Sequence, residues 1–313
     1  MESIHESLQR MAGNSDFTER YEKLKKKVTN HGGVREFLTA HPELTENAVD
    51  RGMAKFYEFA RQSVNCDHCP GLEACPNVMK GYQPHLFVNR GQVEIRYERC
   101  PLKQKADEAQ RQKSMFQSLY EPKEVLEASM DKLDLSQGGR LKAIQAAKTF
   151  VQHYEAGRTS KGLYVYGGFG VGKTYIMGAI ANSLAKHKDV QSLMVYTPDF
   201  FRDLKMSIQN QTVNEKLDYI KKVPVLILDD IGAETISPWI RDDVLGTVLQ
   251  YRMMEKLPTL YTSNWDYDEL ERHLAYSQKH DAVEDMKAKR IMERIRHLTT
   301  EVKAEGTNRR TLD

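Results

Sequence analysis

The stretch Gly167-Gly168-Phe169-Gly170-Val171-Gly172-Lys173-Thr174 constrains this chain more than any other. It follows the apolar run Leu163 to Tyr166 and opens into the helical pattern of "YIMGAI". The spacing Gly-x-x-x-x-Gly-Lys-Thr is that of a phosphate loop, in the context such a loop needs: strand before, helix after. The glycines let backbone amides turn inward around phosphate oxygens. Lys173 is placed for the β and γ phosphates and the Thr174 hydroxyl for Mg2+. The start of the helix adds its partial positive charge. A nucleoside triphosphate is therefore expected, but unrelated machines share this loop, and it does not say what the triphosphate drives.

From about residue 125 the pattern alternates strand and helix. Strand candidates are Leu163–Tyr166, Leu193–Tyr196, Val225–Leu228 and Thr259–Thr262, with a weaker one near Thr299–Ala304. Helical segments separate them, the signature of an α/β parallel sheet covered by helices on both faces. The unbroken run "VPVLILDD" fits a central strand buried on both sides. Its two carboxylates place Asp229 at the magnesium and Asp230 beside an attacking water. A third strand, "TLYTSN", ends in Asn264, whose amide can orient water near the γ phosphate. In "MKAKRIMERIRHL", Ile291, Ile295 and Leu298 form a core stripe, while Arg290 and Arg294, four apart, share another face. By spacing alone an exposed arginine pair and a group reaching a neighbouring subunit's triphosphate are equally good readings.

The first part of the chain differs. Residues 1 to about 62 read as helices, with Asp16 and Glu19 as a capping pair for "FTERYEKLKKKV". The stretch "PHLFVNRGQVEIRYERCP" reads as two short strands around Asn89-Arg90-Gly91. The chain has four cysteines, Cys66, Cys69, Cys75 and Cys100, all outside the triphosphate half. Cys66-x-x-Cys69 forms a knuckle, and the set fits a closed structural Zn2+ site that folds this region rather than reacting. The alternatives are buried free thiols or a redox pair, with His68 and His85 as reserve ligands. Residues 102 to about 120 are charged and helical in composition and read as a connector. The expected division is 1–101, helical and zinc-binding; 102–124, linker helix; and 125–313, the triphosphate domain.

Charged residues make up 29% and the formal net charge is +2, so any nucleic-acid contact must be a local patch. No apolar run approaches the roughly 20 residues of a membrane helix, and the N-terminus lacks a signal-peptide core. A cytoplasmic protein with no membrane partner is expected.

The order of phosphate loop, "LDDIGAE", "TSN" and "RIMERI" resembles the AAA+ ATPases of the bacterial helicase-loader group, the DnaC and DnaI loaders. The cysteine-bearing N-terminal region and its "GYQPHL" stretch resemble the DnaI branch. The resemblance covers essentially the whole chain. It implies a slow ATPase, stimulated by single-stranded DNA or a partner. AAA+ proteins usually add a helical lid with a second sensor arginine, but only about ten residues follow the last expected strand, so little or no lid is expected here. Residues 167–174 and Asp229 would bind Mg-ATP. Asp230 would stand where most AAA+ proteins carry glutamate, and Asn264 would be the first sensor. Arg294 would be the arginine acting on a neighbouring subunit, with Arg309 or Arg310 as stand-ins for a second sensor. The implied partners are the hexameric replicative helicase, single-stranded DNA, other primosome proteins and further copies of the chain through the AAA+ domain. The DNA would meet "TPDFFRDLKMSIQNQ", where Phe201, Arg202 and Lys205 combine an aromatic face with cations, while Phe and Leu at this helical spacing more often form a core face. Some DnaI relatives carry a histidine where this chain has Gln83, which favours four cysteine ligands for the zinc. Two other functions fit parts of the pattern: a transposition-helper ATPase, which has no use for the cysteine region, and a small-molecule P-loop kinase, which leaves "TSN" and the arginine helix without a task.

Overall fold

A computed structural model describes residues 15–62, 69–120, 122–134, 138–158, 161–207, 213–234, 236–275 and 285–309. The chain divides into two compact units, residues 1–109 and 110–313.

Among the described residues of the first unit, four helices precede a hairpin: α1 (Ser15–Thr29), α2 (Gly32–Ala40), α3 (Glu46–Arg51) and α4 (Met53–Ala60), then β1 (Tyr82–Asn89) and β2 (Gln92–Arg99). Thr45 caps α3, its hydroxyl accepting from the Ala48 amide. The hairpin pairs Tyr82 with Arg99 through to Asn89 with Gln92. Its two-residue turn, Arg90-Gly91, has positive φ at both positions, the twist that antiparallel strands favour. The core is small: Val28, Val34, Met53, Phe56, Phe59 and Val93 are its buried residues. Helix α5 (Pro101–Met115) continues the chain into the second unit.

The second unit is built on a six-stranded parallel sheet. Its elements are β3 (Phe116–Leu119), α6 (Lys123–Leu126), α7 (Gly138–His153), β4 (Gly162–Tyr166), α8 (Lys173–Lys188), β5 (Ser192–Tyr196), α9 (Thr197–Ser207), α10 (Val213–Lys222), β6 (Val225–Asp229), a π-helical turn (Ile240–Leu245), α11 (Gly246–Met254), β7 (Thr259–Ser263), α12 (Tyr267–Ala275), α13 (Asp285–Leu298) and β8 (Thr299–Lys303). The strand order is β3-β5-β6-β7-β4-β8. Side chains alternate between two cores. Val225 and Ile227 join Ala143, Ile176 and Ile180, whereas Leu226 and Leu228 join Phe200, Val248 and Ile291. The unbroken apolar run of β6 follows from burial on both faces. The connector reading changes here: the helix stops at Met115, and residues 116–119 form the edge strand β3 against β5.

The order of strands positions the site. β6 lies between β5 and β7, and β7 lies beside β4, so the carboxyl ends of β4, β6 and β7 converge where α/β sheets bind ligands.

Candidate nucleotide-binding site

β4 delivers the phosphate loop, and α8 begins at Lys173. Gly167, Gly170 and Gly172 all have positive φ, which glycine adopts without steric cost. At Gly167 a side chain is also excluded by space, since a Cβ there would lie 2.0 Å from the Ala304 carbonyl oxygen. The Lys173 ammonium is buried and donates to the carbonyls of Gly167 and Gly168 and to Asn264 Oδ1, each at 2.8 Å. The sequence expectation for the loop, Lys173 and Asn264 thus converges on one point.

The acidic strand end closes the other side. Thr174 Oγ1 donates to Asp229 Oδ2 at 3.0 Å, and Thr262 Oγ1 donates to Asp229 Oδ1 at 2.6 Å. The Thr262 hydroxyl also accepts from the Asp230 amide at 2.8 Å. Asp230 turns off the strand with φ 56°, and its Oδ1 accepts from Asn264 Nδ2 at 3.2 Å. A hydroxyl and a carboxylate at hydrogen-bond distance form an all-oxygen donor pair that fits Mg2+.

A cavity of about 740 Å³ opens on these groups. Tyr120, Pro122, Val125, Leu133 and Ile144 supply an apolar wall suited to a base. Sequence reasoning missed three participants. Thr262 lay inside the quoted "TSN" strand but was not singled out. Asp134 and Arg140 line the cavity with no motif to announce them. Behind the acidic strand end lies Glu234 of "LDDIGAE". It is buried, its Oε2 accepts from the Gly232 amide at 3.1 Å and from Thr197 Oγ1 at 3.3 Å, and burial pushes its pKa up to about 7.

Comparisons with known proteins place the chain in a family. The family model of the primosomal protein DnaI N-terminus matches residues 1–97, and that of the bacterial DnaA ATPase domain matches residues 137–238. The replicative helicase loader DnaI of Bacillus subtilis (strain 168) is 44% identical over 311 residues, 99% of each chain. The chain belongs to the DnaI family of replicative helicase loaders. A crystal structure of DnaI aligns at 57% identity with TM-score 0.56, covering 64% of this chain and 99% of that one. A protein from Streptococcus pyogenes serotype M3, described as a primosome component, aligns at 36% identity with TM-score 0.52, covering 64% and 97%. The DnaI family thus accounts for both units, and the second is a DnaA-related AAA+ domain.

The remaining expected site residues of this DnaI-family chain are distributed as follows. Arg294, on α13, is half-buried; its Nη1 donates to the Gly246 carbonyl at 2.8 Å, and it does not line the cavity of its own chain. Arg290 is exposed. The aromatic stacking face expected at Phe201 is corrected: Phe201 is 3% exposed and packs with Phe200 and Leu204 in the core, because that spacing turns the apolar side of α9 inward. Arg202 and Lys205 are exposed, with Arg202 paired to Asp199 at 2.7 Å. Arg309 reaches the cavity, and Arg310 lies outside the described residues. So do Cys66 and His68. Cys69 and Cys75 are half-buried and Cys100 is buried, all as free thiols. Gly81 N donates to Cys75 Sγ and Lys103 N to Cys100 Sγ, both at 3.4 Å. Among the described residues, no group of three or more His, Cys, Asp or Glu is arranged to hold a metal ion. His85 of β1 faces Glu98 of β2 at 3.7 Å. No described helix is long and apolar enough to cross a membrane.

Proposed function

We propose that this chain uses Mg-ATP as an assembly switch while delivering the hexameric replicative helicase onto single-stranded DNA. The observation that carries the reading is the joint placement of Lys173, Thr174, Asp229, Asp230 and Asn264 around one cavity in a chain whose first unit is of the DnaI type. Lys173 holds the β and γ phosphates. Thr174 and Asp229 hold Mg2+, which supplies charge neutralisation at the phosphates. Asp230, positioned by Asn264, is the base for hydrolysis; its short side chain fits slow turnover. Arg294 serves a neighbouring subunit's nucleotide, in keeping with its place away from its own cavity, so an isolated chain hydrolyses slowly. Arg202 and Lys205 meet the DNA backbone. The N-terminal unit grips the helicase, and Zn2+ held by cysteines at 66, 69, 75 and 100 stabilises that unit, a reading supported by the amides directed at Cys75 and Cys100. Metal analysis of the purified chain, before and after chelation, tests the zinc.

The central test uses full-length protein, purified replicative helicase and circular single-stranded DNA. Helicase transfer to the circle should rise with this chain and ATP, and should be lost with Lys173→Ala. Absence of any complex with the helicase would sink the reading and favour a transposition-helper role.

A further inference from the structure

The cavity holds a buried guanidinium that none of these roles uses. Arg140, on the first turn of α7, is 4% exposed and lines the cavity. It stands against the phosphate loop, because a Cβ on Gly172 would lie 3.6 Å from Arg140 Nη1. Its Nη2 donates to Asp134 Oδ2 at 3.2 Å, and its buried Nε has no partner among the described residues. The same Asp134 oxygen accepts from Arg309 Nη2, and the Arg309 amide donates to the Gly170 carbonyl at 3.1 Å. Two guanidinium groups therefore bear on one carboxylate oxygen beside a loop built for phosphate. Burial and the neighbouring Arg309 both work against the Arg140 charge and lower its pKa.

Burying a cation without full compensation is costly, and a fold that keeps one beside a phosphate loop gains from an anion there. We propose that Arg140 is a second phosphate-binding cation of this site, holding the nucleotide's phosphate chain together with Lys173. Asp134 competes with the phosphate for the guanidinium and gives it up when the phosphate arrives. Guanidinium is suited to this because its fork offers Nε and a terminal nitrogen to the same phosphate. The assignment rests on the ATP-binding reading given above.

The test is nucleotide titration of the full-length chain by fluorescence, with Arg140→Gln, Arg140→Lys and Asp134→Asn, each first shown to be folded by circular dichroism. Arg140→Gln should weaken ATP and ADP at least about tenfold, the scale of one charge-assisted hydrogen bond. Arg140→Lys, which keeps the charge but loses the fork, should fall between it and the wild type, and it carries the test if the Gln variant does not fold. Asp134→Asn should bind as well as the wild type or better. The Arg140→Gln loss should be the same with 2′,3′-dideoxy-ATP. Wild-type affinity in both Arg140 variants overturns the assignment. So does an equal loss in Asp134→Asn, which would make the cluster structural, and so does a loss that vanishes with the dideoxy nucleotide, which would move Arg140 to the sugar. If Lys173→Ala binds ATP as the wild type does, the ATP-binding reading itself falls, whatever Arg140 does.

Discussion

The two units solve the same problem with different means. The second buries a parallel sheet on both faces, and its cores run from Ala143 and Ile176 on one side to Val248 and Ile291 on the other. Among the described residues the first gathers one small apolar cluster, Val28, Val34, Met53, Phe56, Phe59 and Val93, at a two-stranded hairpin. A unit of that size excludes less apolar surface from water per residue, and small folds often add a metal or another covalent staple. The larger unit can therefore spend polar groups on chemistry: Lys173, Asp229, Thr262 and Glu234 are all buried there.

Four measurements break or sharpen that contrast. The largest effect belongs to Lys173→Ala. Removing a buried ammonium that makes three hydrogen bonds should lower ATP affinity by about 100-fold or more, while helicase capture persists. Loss of both would make the division of labour wrong. Next, Phe56→Ala empties a fully buried position of the small core and should cost about 3–5 kcal/mol. Denaturant unfolding should show the first unit lost early with ATP binding preserved; joint unfolding of both units would contradict their independence.

Third comes Glu234. Its folded pKa is raised to about 7 by burial, so the folded state binds the proton more tightly than the unfolded chain does. Its contribution is complete in acid, falls as pH rises from the ordinary glutamate range towards 7, and levels off above. The wild-type unfolding midpoint should therefore drop more than that of Glu234→Gln between pH 5 and pH 8. Parallel pH curves would show that the carboxyl is not held protonated. The smallest effect is expected for Tyr120→Phe, which removes a hydroxyl bonded to Asp203 on α9. A change in stability below about 1 kcal/mol is expected; a larger one would mark that contact as a brace between the cavity wall and α9.

The strand ends of the candidate site are legible because a phosphate loop and its acidic partner call for particular atoms at particular spacings, and Lys173 meets Asn264 and Thr174 meets Asp229 where the sequence expects them. Thr262 and Arg140 were not legible, since their neighbours are fixed by strand order and by the packing of α7, not by local sequence. β3 was hidden for a related reason: Phe116–Leu119 has no apolar run and follows a charged helix, yet an edge position asks for one pairing partner only. Phe201 was ambiguous because an aromatic beside cations suits either stacking or core, and the apolar side of α9 decided it. In the first unit the turn at Arg90-Gly91 was readable from its glycine, but the surface that would engage a partner follows from shape, which no motif encodes.

β8 has a consequence for how the protein is made. The strand pairs with β4, the Ala304 amide donates to the Tyr166 carbonyl, and the Ala304 oxygen packs against Gly167. The phosphate loop is thus braced by a strand that follows every other described strand along the chain. Because domains fold as units during synthesis, a nascent chain that has not yet released residue 304 from the ribosome carries an unbraced loop. A chain cut before β8 would leave Gly167 without the Ala304 carbonyl that packs on it and β4 without the strand at its outer side.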